Sequence, residues 1–237
     1  ETWEDSFQED YTAKENIYAV YLMFRHDIDN LMITGGARYE ITKINYHTTK
    51  FASIDYEIGS PTRGLLVKKD SIAQKTRPML LPQIQFRYKI SNSTNIRAAA
   101  TYSFIRPAFD KLIPYKTTNE DGDIKKGNPE LKFPLSLNLD ILGETYLPNQ
   151  GIISGGLCYK RIENPVFNFV LKAHEGTPFN QYPLREITMP VNGSLAYVYG
   201  SEIMLQSKFS FLPGILKDFG LFGNYTYTDS RAEISKR

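Results

Sequence analysis

The feature that most constrains this chain is an alternation of period two that recurs along its length. From Gln83 to Ile90, Gln83, Gln85, Arg87 and Lys89 take one face while Ile84, Phe86, Tyr88 and Ile90 take the other. A helix would mix these two sets, whereas a strand separates them. After Ser91-Asn92-Ser93-Thr94, the pattern resumes with Ile96, Ala98, Ala100, Tyr102 and Phe104 opposed to Asn95, Arg97, Ala99, Thr101 and Ser103. The two segments read as one hairpin. The longest apolar runs, around Tyr18 to Phe24 and Met79 to Leu81, are far short of the roughly 20 residues of a spanning helix. Any crossing of a membrane must therefore be made by strands.

Three further hairpins follow from the same rule. One joins Ile17–Phe24 to Leu31–Ile44 through the polar stretch His26 to Asn30, with Leu31, Ile33, Ala37, Tyr39 and Ile41 on one face. Another joins Leu135–Tyr146 to Ile152–Ile162 across Pro148-Asn149-Gln150-Gly151, opposing Leu135, Leu137, Leu139 and Ile141 to Ser136, Asn138, Asp140 and Glu144. The last joins Ser194–Phe211 to Phe219–Thr228 across Leu212-Pro213-Gly214. These make about eight strands. Short turns alternate with long polar segments, Tyr46 to Arg77, Arg106 to Pro134 and Glu163 to Pro190.

Such regularity is the pattern of an antiparallel transmembrane β-barrel, whose turns are tight at one end and whose loops are long at the other. Aromatic content points the same way: 16 Tyr and 14 Phe stand against one Trp, and Tyr39, Tyr88, Tyr102, Phe104, Tyr225 and Tyr227 fall near strand ends, where a girdle would lie. A soluble all-β protein, such as an extracellular β-sandwich used for binding or adhesion, also produces two-faced strands. The two readings differ in where the apolar faces point: across a dry core in the sandwich, outward into lipid in the barrel.

Composition removes other classes. The formal charge of +2 comes from scattered Lys and Arg, with no basic footprint for nucleic acid. The single Cys158 excludes an internal disulfide and a multi-cysteine zinc site. His26, His47 and His174 fall in an expected turn and two expected loops without partners at ligand spacing, so no metal and no cofactor is expected. Glu120-Asp121-Gly122-Asp123 lacks the spaced ligands and terminal Glu of an EF-hand and reads as a loop tip. No nucleophile with its base and no paired carboxylates form a signature, so no enzyme is expected. The opening Glu1 to Asp5 has neither the basic nor the apolar region of a signal peptide.

Several segments carry a resemblance. Leu81-Pro82 opens a strand as an "LLP" segment; Arg106, Pro107, Phe109, Leu112 and Pro114 form R-P-x-F-x-x-L-x-P; Gly127, Asn128, Pro129 and Leu131 form G-N-P-x-L. Weaker matches flank these in the right order, Gly36-Ala37-Arg38-Tyr39-Glu40 before them and Tyr159-Lys160-Arg161-Ile162, Gly200-Ser201-Glu202 and Asn224-Tyr225-Thr226-Tyr227 after. In this the chain resembles the C-terminal barrel of TonB-dependent outer-membrane receptors, most closely those of the Bacteroidetes. The resemblance implies that residues 1–237 are a fragment of a larger barrel, of about 22 strands, without its N-terminal plug or its TonB box. The last residues, Ser235 to Arg237, would begin another loop. It implies a Gram-negative outer membrane, contacts with lipid, coupling to TonB through the missing N-terminal region, and uptake of a scarce nutrient such as an iron chelate, cobalamin, glycan or peptide.

The motif residues also have a physical reading. Pro107 and Pro129 cannot donate to a ladder and suit the start of an external loop, while Gly127-Asn128 would allow positive φ in a return turn. Charges on a lipid face cost about 2 to 4 kcal/mol near the midplane. Arg38, Glu40, Arg87, Lys89, Arg97, Asp140, Glu144 and Glu202 are therefore expected to face the lumen, hydrogen-bonding the plug or lumen water.

Overall fold

The computed structural model describes residues 11–53, 66–113, 116–118, 123–148, 151–172, 185–210 and 212–233. Eight strands form one antiparallel sheet: β1 (Tyr11–Ile28), β2 (Leu31–Ser53), β3 (Leu66–Lys89), β4 (Thr94–Phe104), β7 (Leu135–Leu147), β8 (Gly151–Glu163), β11 (Leu195–Lys208) and β12 (Gly220–Glu233), neighbours in that order. Four more strands lie within two long loops: β5 (Lys116–Thr118) and β6 (Ile124–Lys126) in the β4–β7 loop, β9 (Val166–Lys172) and β10 (Glu186–Asn192) in the β8–β11 loop. They make a second sheet, ordered β5-β6-β10-β9, in which β6 and β10 run parallel.

The eight expected strands are all present, and their bounds are where the difference lies. His26 and Asp27 belong to β1, and the turn narrows to Asp29-Asn30, with Asp29 at φ 48°. The segment expected as a loop from Tyr46 to Arg77 is strand on both sides, since β2 runs to Ser53 and β3 begins at Leu66, and His47 lies within β2. Beyond the bilayer both faces of a strand can be polar, so the alternation that identifies a strand vanishes while the ladder continues. At roughly 3.4 Å per residue, β2 and β3 each reach about 80 Å, some three times the height of a barrel's apolar band. The last short connection carries a turn of 3₁₀ helix, Gly214–Asp218, with Gly214 at φ 64°. Asn149, Gln150, Phe211 and the chain ends Glu1 to Asp5 and Ser235 to Arg237 fall outside the described residues.

The register divides the sheet into two faces. Ile84, Ala100, Leu139, Tyr159 and Tyr199 lie opposite one another in turn across β3, β4, β7, β8 and β11, and the next row carries Phe86 and Ala98. This apolar face is uncovered among the described residues: Leu80, Ile141, Leu157 and Ile203 are all exposed. It does not meet another sheet across a dry core, as a sandwich would require. The core lies on the opposite, polar face, at the long-loop end. There Ile44 and Tyr46 of β2 bury Leu112, Ile113, Leu131 and Phe133 of the β4–β7 loop, and Phe104 stacks on Phe133 with ring centres 5.9 Å apart.

Placing a charge on the apolar face tests this division. In lipid vesicles, Leu157→Arg is expected to lower the stability of the full-length protein by about 2–4 kcal/mol, and Gln85→Lys on the polar face by about 1 or less. A urea titration reads both; equal costs would contradict the assignment of the faces.

Candidate functional site: the polar face and its loop cap

All eight residues expected to face a lumen share the polar face: Arg38 and Glu40 on β2, Arg87 and Lys89 on β3, Arg97 on β4, Asp140 and Glu144 on β7, and Glu202 on β11. Several are paired there. Glu144 is buried and accepts Arg97 Nε at 3.1 Å and Nη2 at 2.6 Å, with the Tyr146 hydroxyl at 3.3 Å. Arg97 lies directly opposite Arg87, so the diagonal reach to Glu144 offsets a like-charge pair. The buried Arg87 Nε has no hydrogen-bond partner among the described residues. Asn224 Nδ2 donates to Glu202 at 2.9 Å. Buried Asn138 donates from Nδ2 to the Thr101 carbonyl and Ser103 Oγ, while Ser136 Oγ donates to its Oδ1 at 2.9 Å. Arg87, Arg97, Gln85, Asp140 and Met32 line a shallow hollow in this wall.

Higher on the same face, Glu40 joins wall to loop. Only 3% of it is exposed. It accepts Arg38 Nε at 3.0 Å and Nη2 at 2.8 Å on one side and the Arg106 guanidinium on the other, and Arg106 Nε also lies 3.6 Å from Glu15 of β1. Arg106 stacks over the Phe104 ring at 4.8 Å. The arginine of the R-P segment thus meets the glutamate of the G-x-R-Y-E strand, 66 residues away.

The remaining motif residues fold the loop onto this point. Phe109 and Leu112 belong to the short helix α1 (Phe109–Leu112), and Leu112 and Leu131 are buried in the core. Pro107 precedes the helix, and Pro114 is outside the described residues. Gly127 does not have the positive φ expected of it. A side chain is excluded there by crowding instead, because a Cβ would stand 1.9 Å from the Ile113 carbonyl oxygen. Asn128 Oδ1 accepts the Glu130 amide at 3.0 Å and its Nδ2 donates to the Pro190 carbonyl at 3.0 Å, tying one long loop to the other. The Pro129 carbonyl accepts from Arg77.

Other fastenings have no sequence signature. Arg77 Nη2 donates to the carbonyls of Pro129 and Leu131, and Lys75 pairs with Glu130. That ammonium holds the Glu130 carboxyl below the usual carboxylate range. Because the pKa is lowered, the contact is fully present above the ordinary carboxylate pKa and is lost as pH falls through the depressed value. Burial pushes the Tyr46 phenol up to about 12, so it stays neutral beneath the loop. Asn192 exchanges hydrogen bonds with the Lys132 backbone, and Asp123 accepts the Glu186 amide at 3.1 Å. Asp123 thus joins the two loops, while Glu120, Asp121, Gly122 and His174 fall outside the described residues. No group of three or more His, Cys, Asp or Glu able to hold a metal comes together among the described residues.

The sequence profile of the outer membrane protein β-barrel family matches residues 1–233. No curated protein sequence matches the chain. Among solved structures, the ferric-catecholate import receptor Fiu from K12 E. coli aligns over 96% of this chain and 29% of its own, at a TM-score of 0.62 and 14% identity. The FrpB iron transporter from Neisseria meningitidis aligns over 94% and 27%, at 0.57 and 13%. The copper transporter OprC aligns over 93% and 31%, at 0.63 and 12%. The chain thus spans about three tenths of the length of these proteins.

If Glu40 clamps the β4–β7 loop, Glu40→Ala leaves Arg38 and Arg106 without the carboxylate they share, and Arg106 keeps only Glu15, at 3.6 Å. The expected cost is on the order of 1–3 kcal/mol, less than for a fully buried pair because both arginines keep water contact. In limited proteolysis of the full-length protein, the 105–134 loop should be cut faster in Glu40→Ala and in Gly127→Ala than in wild type. Unchanged cleavage in both would mean that the loop is held without them.

Proposed function

The chain belongs to the outer membrane protein β-barrel family, and from that premise we propose that it forms part of the wall of a receptor that imports a scarce nutrient across the outer membrane. One observation carries this reading. The sheet has an outward apolar face, a charged inner face, and two long loops built into a fixed cap over the inner face at one end only. A passive pore needs an open mouth; a receptor needs a shaped one. Structurally similar proteins described as an iron transporter, a ferric-catecholate receptor and a copper transporter support uptake of a chelated metal as the first class to test. Cobalamin, a glycan or a peptide are the other classes.

The proposal includes a lumen plug and a TonB-engaging segment contributed by sequence beyond these residues, with further strands completing the wall. The charged inner face then has an occupant: Arg38, Arg87, Lys89, Arg97, Asp140 and Glu202 meet plug side chains and lumen water rather than substrate. The residues carrying the R-P-x-F-x-x-L-x-P and G-N-P-x-L segments shape the cap.

Deletion of the full-length gene should abolish growth on one such nutrient supplied as the only source, and the wild-type gene should restore it. Uptake of the labelled nutrient should stop when the proton-motive force is collapsed. Uptake that continues without that force would indicate a passive channel and would overturn the coupled mechanism.

A further inference from the structure

The inner face is out of electrostatic balance near its short-turn end. One row runs Asp27, Met32, Arg87, Arg97 and Leu142 across β1, β2, β3, β4 and β7, so Arg87 and Arg97 stand directly opposite each other. Lys89, the last residue of β3, is on the next row toward the turns, opposite Asn95. Two cations facing each other across a ladder repel, and the wall relieves only one of them. Arg97 turns to the buried Glu144. Neither Arg87 nor Lys89 donates a side-chain hydrogen bond or closes an ion pair among the described residues.

The acids of this region do not make up the difference. Asp27 accepts Arg25 Nε at 2.9 Å and Nη2 at 3.2 Å, and β2 separates it from Arg87. Asp140 lies opposite Ala99, one row farther from the turns, and lines the same hollow as Met32, Arg87 and Arg97. Glu202 is three strands beyond Arg97 on its row and is held by Asn224. With Arg25–Asp27 and Arg97–Glu144 paired, Arg87 and Lys89 are two free cations, and Asp140, across β4, is the one free acid beside them among the described residues. One positive charge is left over. A covered donor such as Arg87 Nε is also costly without an acceptor, and turning the guanidinium toward an incoming carboxylate removes that cost.

We propose that Arg87 and Lys89 form a seat for one carboxylate, that of an Asp or Glu carried into the lumen by a segment of the full-length protein outside residues 1–237. Size, charge and chain length select this occupant. The hollow encloses about 200 Å³, below the roughly 300–1,000 Å³ of small-molecule pockets, so it admits a side chain and not a metal chelate. A single surplus charge in a wet lumen holds a free anion weakly, whereas a tethered carboxylate arrives at the high effective concentration of an intramolecular contact. The chain spans about three tenths of the structurally similar proteins, which leaves ample sequence for such a segment. The inference rests on the lumen plug of the proposed receptor and gives it an acidic contact at the short-turn end. It does not depend on what is imported or on what drives import.

The test is zero-length carbodiimide coupling, which joins a lysine ammonium to a carboxylate in contact with it, on the full-length protein in outer membranes, with the joined peptides identified by mass spectrometry. Lys89 in the wild type, and position 87 in Arg87→Lys, should couple to an Asp or Glu outside residues 1–237. Lys160, on the inner face of β8 away from the hollow, should not couple to that residue. In Arg87→Gln/Lys89→Gln, backbone hydrogen exchange of the peptide bearing that acid should be about tenfold faster or more, as the loss of a charge-assisted hydrogen bond requires. Unaltered heat-shifted migration on gels verifies the barrel in each variant. Coupling only to Asp140 or Glu144, or no coupling, overturns the seat, and so does exchange that is unchanged in the double variant. Coupling in a protein whose uptake survives collapse of the proton-motive force would uphold the seat while the coupled mechanism falls.

Discussion

The backbone ladder is the constraint on which everything else in this chain depends. In hydrocarbon, each unpaired amide or carbonyl costs several kcal/mol, so a strand in the bilayer must be paired on both sides. The eight-stranded sheet meets that demand with neighbours taken in chain order and with uninterrupted registers, 12 residues or more in length for β1–β2, β2–β3, β7–β8, β8–β11 and β11–β12. Once that register is set, every side chain's face is set with it. A slip of one residue in β7 would send Asp140 and Glu144 into lipid and Ile141 into the lumen. The charges of the inner face and the tyrosines of the outer one are consequences of a single hydrogen-bonding pattern.

Above the bilayer the same strands serve a different purpose. β2 and β3 continue past the apolar band as a stalk, and their inner face there turns apolar with Ile44 and Tyr46. The β4–β7 loop packs Leu112, Ile113, Leu131 and Phe133 against it, which removes apolar surface from water in a place where the barrel itself offers no core. Charged contacts then set the loop's orientation: Arg106 reaches Glu40, and Arg77 reaches the carbonyls of Pro129 and Leu131. The second long loop is added through Asn128, Asp123 and Asn192, so two loops of one chain become a single cap.

How much of this could be read from the sequence depends on whether two faces of a strand see different solvents. Within the bilayer they do, and Gln83 to Ile90 or Leu135 to Glu144 announce both strand and facing. Beyond the bilayer, where both faces of a strand can be wet, that contrast is gone, and the outer part of β2 reads as loop. The small loop strands β5, β6, β9 and β10 are too short and too dependent on tertiary pairing to leave a pattern. Motif residues were legible as positions but not as reasons. Gly127 suggested a turn conformation, yet its requirement comes from the Ile113 carbonyl, a neighbour that only the folded loop brings near. Arg77 carried no signal, because a side chain bonding to distant main-chain carbonyls has no complementary residue in the sequence, and Lys75 carried none because nothing singles out Glu130, 55 residues away, among the chain's acids.

The outermost strands bear on the size of the wall this sheet belongs to. β1 and β12 each pair on one side only and do not pair with each other among the described residues. Closing eight strands on themselves would leave an interior just wide enough for side chains to fill. That interior would have to hold Arg38, Arg87, Arg97, Glu144, Lys160 and Glu202 with little water, and bury charges that are now half exposed, at a cost of several kcal/mol for each unpaired one. A wider wall removes the conflict by giving those charges a wet or plugged lumen, and it supplies the partners that the free edges of β1 and β12 require in lipid. The inner face of this sheet is therefore chemically suited to a large barrel and unsuited to a small one, which is the physical argument for further strands in the proposed receptor.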